Sequence, residues 1–370
     1  GFEFAKSFEK NPFALNCGAI VVELADGVAF EEVCASPLGK TLRENSILFK
    51  GSKIDLQKVF DAYTSTLEDI FPTKAAEPQG EIAKIEYEPK QVFLAESKIA
   101  KPKVFIPVFP GTNCEYDSTK AFERAGADVV TKVFKNLSGN NSNSDIEYSI
   151  EEMKRRIDES QILMLPGGFS AGDEPAGSGK FIAAVFRNPK LSDSVMRLLK
   201  DRKGLILGIC NGFQALIKLG LVPFGEIRPL AEDAPTLTYN NIARHVSCYV
   251  RTRVASRLSP WLSKCEIGQI HTIPVSHGEG KFVASKEMLE TLVKNGQVAT
   301  QYVDLNGNPS SDIRYNPNGS MQAIEGITSP CGLVFGKMGH TERFGSNVGK
   351  NVSGDKIQPI FEGGVNYFKL

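Results

Sequence analysis

The chain has 370 residues, 43 lysines and arginines against 43 aspartates and glutamates, and 41% hydrophobic residues. That length holds two domains, or one large domain with an appendage, and zero formal net charge provides no long-range field to recruit nucleic acid or an anionic membrane. No apolar run approaches the roughly 18 residues of a membrane span, no signal-peptide pattern is present, and the seven cysteines are irregularly spaced, so a cytoplasmic protein with reduced thiols is expected.

Residues 13–24 are predicted to form one strand centred on Ala19, Ile20, Val21 and Val22. A second apolar piece at 46–49 precedes a helix from Asp55 to Ile70, which Phe71-Pro72 ends. About 70 residues make a marginal core alone, so residues 1–71 are expected to pack on the rest or to be the tail of a larger domain. Residues 72–102, rich in Pro, Lys, Glu and Ala, read as an extended linker, with Pro72, Pro78, Pro89 and Pro102 spaced through it. The chain starts at Gly1, in what reads as the middle of a folded unit, and a piece of a longer protein is expected.

At Lys103 strands and helices begin to alternate. Strands are predicted at 104–109, 128–134 and 161–165, with helices at 114–127 and 146–160 between them. A fourth strand, 204–209, is an almost wholly apolar run of the kind buried on both faces of a parallel sheet. Such alternation predicts an α/β, doubly wound, flavodoxin-like sheet over residues 103–370, with ligands beyond the carboxyl ends of its strands. Later strands are expected near 266–276, 280–284, 298–304 and 332–336, and a helix at 285–295.

The fourth strand leads into Gly208-Ile209-Cys210-Asn211-Gly212, followed by a helix over 211–219 that Gly220 stops. Cys210 therefore sits where strand gives way to helix, in the elbow arrangement Gly-x-nucleophile-x-Gly, with a thiol in place of a hydroxyl. The turn is so tight that the side chains two positions away on either side must be minimal, and the helix N-terminus favours thiolate over thiol. A free cysteine is usually a small buried core residue; the flanking glycines set this one apart.

A thiolate nucleophile needs a base, and the chain has four histidines. His340 is followed by Glu342, and in an extended segment residues i and i+2 share a side, so Glu342 can accept the second imidazole N–H and fix tautomer and orientation. His277, followed by Glu279, competes, and spacing does not separate the two. The chemistry also needs preorganised donors for an oxyanion. Pro166-Gly167-Gly168-Phe169-Ser170 follows a strand, so the amide of Gly168 pairs with that of Asn211 as the candidate oxyanion site. Residues 172–180 resemble a phosphate loop but fail: the first glycine of the pattern falls on Glu174, and Phe181 replaces the metal-binding hydroxyl. No ATP site is expected there. With neither Cys-x-x-Cys nor His-Glu-x-x-His present, no metal ligand is assigned. Cys114 also opens a helix, but without bracketing glycines it reads as a structural or pocket-wall residue.

Together, the stretches Phe109-Pro110-Gly111-Thr112-Asn113-Cys114-Glu115, 166–170, 208–214, His277-Gly278-Glu279-Gly280 and His340-Thr341-Glu342-Arg343 bring a resemblance. Residues 103–370 resemble the class I (triad) glutamine amidotransferases, most closely the glutaminase domains of the phosphoribosylformylglycinamidine synthase family. The resemblance implies Cys210 as nucleophile, His340 as base and Glu342 as its orienter, and assigns His277 to a different motif. It implies that residues 1–71 are the tail of an aminoimidazole-ribonucleotide-synthetase-like domain, and that ATP and magnesium serve a synthetase mostly outside this chain, with no cofactor in the chain itself. Two departures stand out: Ala171 occupies a position where many relatives have an aromatic residue, and Thr341 one where many have proline.

The expected partners are L-glutamine and the synthetase domain, with no nucleic acid and no membrane. Gln214, one helical turn beyond Cys210, is expected to brace the elbow or line the substrate pocket, which Phe169 also borders. Two rival readings remain at this point: another cysteine hydrolase on the same elbow, and a non-catalytic docking module for the synthetase. Labelling of Cys210 by a glutamine-mimicking electrophile separates the first; binding to the synthetase without such reactivity would favour the second.

Overall fold

The computed structural model describes residues 1–9, 11, 14–15, 17–29, 35–70, 82–90, 95, 97–138, 145–170, 178–232 and 234–369. The chain divides into two compact units, Gly1–Thr73 and Lys74–Leu370.

The first unit holds a four-stranded sheet in the order β2-β1-β3-β4, built from β1 (Phe2–Phe4), β2 (Gly39–Thr41), β3 (Ser46–Phe49) and β4 (Ser52–Asp55). Phe2, Phe4, Phe8 and Phe49 meet ring against ring. Helix α1 (Leu56–Ser65) starts at Asp55, whose carboxylate accepts the Lys58 N–H, and buries none of its residues. The strand expected over 13–24 is not formed by its described residues. Ile20 and Val21 are 85% and 75% exposed. An apolar run becomes a strand only where a neighbour supplies the hydrogen-bond ladder, and here β1 to β4 pair among themselves.

The second unit is organised by a nine-stranded sheet. In chain order its elements are β5 (Lys103–Val108), α2 (Glu115–Arg124), β6 (Asp128–Val133), α3 (Asp145–Glu159), β7 (Ile162–Leu165), α4 (Lys180–Phe186), α5 (Pro189–Lys200), β8 (Leu205–Ile209) and α6 (Asn211–Leu219). They continue with α7 (Leu221–Phe224), β9 (Thr236–Tyr239), β10 (Val246–Val254), β11 (Ile270–His277), β12 (Glu279–Val283), α8 (Lys286–Lys294), β13 (Val298–Tyr302), β14 (Ile324–Thr328), β15 (Val334–Lys337) and α9 (Ile360–Asn366). The strand order is β11-β10-β13-β14-β15-β8-β7-β5-β6.

The five strands from β15 to β6 are mutually parallel. Numbered along the chain they run 2-1-3-4-5 across the sheet, the flavodoxin-like order, confirming the α/β expectation. β7 and β8 are buried throughout, as their unbroken apolar sequences require. The remaining four strands extend the sheet with antiparallel pairing; β11 and β13 fall where strands are expected, whereas β10 and β14 are not announced by the sequence pattern. Strands β9 and β12 form a separate antiparallel pair.

The described residues between 82 and 99 are tied down. Tyr87 exchanges backbone hydrogen bonds with Ala255 and Arg257 at 2.9 and 3.2 Å. The buried Arg253 guanidinium donates to Ile85 O and Glu86 Oε1, both at 2.6 Å. Farther on, Ile99 N–H donates to Phe368 O at 2.8 Å.

Two buried histidines of β11 give the unit a pH dependence. Neither ring nitrogen of His271 has a partner among the described residues, and burial pushes its pKa down to about 4. Burial, helped by the nearby His340 and His245, pushes His277 to about 3. In the unfolded chain an imidazole titrates near ~6.5, so below that value the unfolded state binds more protons and stability falls as pH falls. At pH 5 each histidine is expected to cost on the order of 2 kcal/mol. The thermal midpoint should therefore drop between pH 7 and pH 5, and His271→Leu should flatten that drop. A flat parental curve would refute the account.

Candidate active site

Four neighbouring parallel strands, β5, β7, β8 and β15, deliver their trailing loops to one edge of the sheet. β8 ends at the elbow, where Cys210 has φ +52° and ψ −106°. This is a strained backbone for an L-residue, worth roughly 1–3 kcal/mol. The flanking glycines are sterically required. A Cβ on Gly212 would lie 1.9 Å from Leu165 O, and one on Gly208 would lie 2.5 Å from Leu216 Cδ1. The Cys210 N–H donates to Lys337 O of β15 at 2.8 Å, and its Sγ lies 3.6 Å from Ser276 O.

β15 carries the chain to His340. Residues 338–344 turn rather than extend: Arg343 N–H donates to His340 O at 3.2 Å and Phe344 N–H to Glu342 O at 2.9 Å. The turn still brings the two expected partners together, with His340 Nδ1 2.6 Å from Glu342 Oε1 and both side chains buried. His340 Nε2 is buried without a hydrogen-bond partner among the described residues. Burial works against an imidazolium, but Glu342 and the adjacent Cys210 and Cys114 thiols outweigh it and hold the His340 pKa well above its ordinary value. Burial likewise works against the Glu342 carboxylate, yet the imidazole keeps its pKa below the usual range.

β7 contributes the Gly167-Gly168 turn. A Cβ on Gly167 would meet His340 Cε1 at 2.7 Å, Cys114 Sγ at 3.1 Å and Cys210 Cβ at 3.5 Å, so this glycine lies against Cys210 and His340 at once. Gly168 has φ +145°, and a Cβ there would strike Gly111 O at 2.5 Å. The loop after β5 supplies Cys114, whose Sγ lies 3.8 Å from His340 Nδ1 and receives Arg343 Nη2 at 3.1 Å. Cys114, His340 and Glu342 offer sulfur, nitrogen and oxygen donors within 4.8 Å of one another. With the Arg343 guanidinium on the sulfur, the group fits a hydrogen-bonded triad better than a cation site.

Residues 101–368 match the CobB/CobQ-like glutamine amidotransferase domain family. The chain belongs to that family. Among its relatives, the phosphoribosylformylglycinamidine synthase subunit PurQ of Methanococcus maripaludis is 32% identical over 244 residues, covering 65% of this chain and 82% of that protein. The PurQ subunit of Archaeoglobus fulgidus is 35% identical over 285 residues, 72% of this chain and 97% of the relative. Among solved structures, a chain of PurLQS from Thermotoga maritima aligns at a TM-score of 0.51 and 26% identity, covering 73% of this chain and all of that one. The class I amidotransferase resemblance read from the motifs therefore holds. No described helix is long and apolar enough to cross a membrane.

Within this amidotransferase domain the two candidate bases are now separated. His277 Nδ1 faces the amide oxygen of Asn240 at 3.1 Å, while Glu279 Oε2 accepts the Ser178 N–H at 2.9 Å. Only His340 has its carboxylate. Gln214 donates to Glu279 O at 2.5 Å and accepts from Asn211 Nδ2 at 3.1 Å. Its amide is thus taken up bracing the elbow helix. The Asn211 side-chain oxygen in turn accepts the Ser170 N–H at 3.3 Å, joining the elbow to the glycine turn. Phe169 is 39% exposed, with its ring 6.0 Å from that of His245. Ala171 and most of the rejected phosphate loop, up to residue 177, lie outside the described residues.

Three residues receive no role at Cys210 and His340 from the sequence: Cys114 reads as structural or pocket-wall, Arg343 stands only in a motif, and Glu279 only as the carboxylate after His277. Glu279 Oε1 is buried without a partner among the described residues, on the segment whose Ser276 carbonyl touches Cys210.

The two glycines of this edge should fail in different ways. Gly212→Ala drives a methyl into backbone and should destabilise the protein by several kcal/mol, roughly the scale of overpacking. Gly167→Ala meets movable side chains, so it should leave thermal stability within a few degrees while displacing His340 and lowering turnover at least 100-fold. Comparable loss of melting temperature in both variants would refute the distinction.

Proposed function

We propose that this protein is the glutaminase of a phosphoribosylformylglycinamidine synthase in purine biosynthesis. The observation that carries the reading is the buried His340–Glu342 pair at 2.6 Å, set with Cys210 against the same glycine, Gly167. A hydrogen-bonded carboxylate fixes the imidazole so that Nδ1 bears the proton and Nε2 is presented to the thiol.

In this mechanism the Cys210 thiolate attacks the side-chain amide carbon of L-glutamine, and the amides of Gly168 and Asn211 receive the oxyanion. His340 gives its proton to the departing nitrogen, ammonia leaves, and a glutamyl thioester remains on Cys210. His340, now neutral, takes a proton from water; the hydroxide adds to the thioester, and the C–S bond breaks to give glutamate and free thiolate. Phe169 borders the substrate. The unpartnered oxygen of Glu279 is suited to the α-ammonium group of glutamine, because a buried carboxylate without a counter-charge is costly until a cation arrives. Ammonia in bulk water would be protonated and lost, so it passes to a synthetase partner, the chemistry to which the PurQ relatives and PurLQS point. ATP and magnesium serve that partner's ligation, and no residue of this chain is assigned to them. The described residues of the first unit do not enter the mechanism; residues 1–71 are proposed as part of the synthetase side.

Three measurements test the reading. The protein should convert glutamine to glutamate and ammonia, slowly without its synthetase, and Cys210→Ala should lower the rate at least 1000-fold. Glu342→Gln should lower kcat by roughly 10²- to 10⁴-fold, the range associated with a misoriented base. Glu279→Gln should raise the KM for glutamine more than it lowers kcat. A Cys210→Ala variant as active as the parent, or a glutamine-mimicking chloroketone that labels another cysteine, would overturn it.

A further inference from the structure

Behind the catalytic turn lies an ion pair that the mechanism does not use. Lys337, the last residue of β15, and Glu325 of β14 both have wholly buried side chains, with Nζ 3.4 Å from Oε1. Burying two charges costs several kcal/mol per ion, and such pairs are often no more stabilising than apolar residues of the same volume. The pair therefore calls for a reason other than stability.

Its hydrogen bonds supply one. Lys337 Nζ donates to Gly339 O at 3.0 Å and to Thr341 Oγ1 at 2.8 Å, the residues on either side of His340. Glu325 faces the same ammonium as its counter-charge. Glu325 Oε1 accepts the Gly339 N–H at 2.6 Å, and its Oε2 accepts the Thr300 hydroxyl at 2.5 Å. Thr341 Oγ1 passes its own proton to Gln358 Oε1 at 2.7 Å. The residues before and after His340 are thus held from the same side. Lys337 is also the residue whose carbonyl accepts the Cys210 N–H. One residue therefore fixes the nucleophile through its backbone and the base through its side chain.

We propose that Lys337 and Glu325 are positioning residues that set His340 against Cys210. The inference rests on the reading of these two residues as nucleophile and base. The pair touches no substrate; it acts through the 339–341 turn. Burial lowers the Lys337 pKa, opposed by Glu325 and Glu342, so its charge also bears on the triad carboxylate. The charged or titratable groups facing His340 are Glu342, Cys210, Cys114 and Arg343, with neutral His277 beyond and the Lys337–Glu325 pair behind.

The test removes both charges at once, because Lys337→Met alone would strand a buried carboxylate. The double variant Lys337→Met/Glu325→Gln should unfold cooperatively within a few degrees of the parent. Its kcat for glutamine should fall at least tenfold while KM changes less than threefold. Alkylation of Cys210 by iodoacetamide at fixed pH, followed by peptide mass mapping, should slow at least fivefold, because His340 is no longer held against the sulfur. A folded double variant with parental kcat and a parental alkylation rate would overturn the proposal, as would loss of folding in that variant accompanied by a fully active, folded Lys337→Met. The alkylation readout keeps the two readings apart. A parent whose Cys210 is alkylated readily but that hydrolyses no glutamine would sink the proposed function, and the change of alkylation rate in the double variant would still decide this inference.

Discussion

The site depends on the pairing of β8 with β15. These strands are far apart in the chain, yet they lie parallel with Ile209 opposite Lys337. Both end at the same level of the sheet, so the residues that follow, Cys210 and the turn holding His340, emerge side by side. The bond from Cys210 N–H to Lys337 O is the last rung of this ladder. Because side chains alternate along a strand, a one-residue slip would send Val334 and Phe335 each to the opposite face of the sheet and move His340 by about 3 Å. Register, fixed by burial of Val334 and Phe335, is thus also what fixes the geometry of the candidate site.

Electrostatics then assign different roles to chemically similar parts. His277 and His340 are both buried histidines followed two residues later by a glutamate. One is left neutral by desolvation, with an amide for a partner; the other is pushed toward the charged form by Glu342 and the neighbouring thiols. The difference is a matter of where each carboxylate is engaged. Glu279 is spent on the Ser178 amide, whereas Glu342 turns back onto its own histidine. An acid–base group that must give and take protons within one turnover is served by the second environment and disabled by the first.

The parallel half of the sheet and the elbow were legible because their signals are local. An unbroken apolar run at 204–209, bracketing glycines and a stop at Gly220 each state their purpose within a few residues. The choice of His340 over His277 was not, because it depends on partners such as Asn240 and Ser178 that lie elsewhere in the chain. Even the reason given for His340 meeting Glu342, an extended segment, was the wrong one, since a turn performs the same task. The antiparallel half was harder still. β10, its longest strand, carries Arg251 and Arg253, which break any apolar pattern. Arg253 is tolerated inside because the segment around Ile85 and Glu86 brings it a carbonyl and a carboxylate. The composition that marked residues 72–102 as a linker says nothing of that compensation.

Arg253 and Lys337 together show what buried charge does in this fold. Each cation is satisfied by groups on a segment with little regular structure of its own: residues 85–86 in one case and the 339–341 turn in the other. Apolar contacts alone would hold such segments poorly, since they are non-directional and permit many nearly equal packings. A buried ammonium or guanidinium accepts few geometries, because a shift leaves a charged group unpaired in low dielectric. The cost of burying the charge is what makes the alternatives unfavourable. At Arg253 the result is a fixed strap. At Lys337 it is a turn fixed on both sides of His340, whose ring is then left to Glu342 and whose backbone N–H bonds Pro274 O.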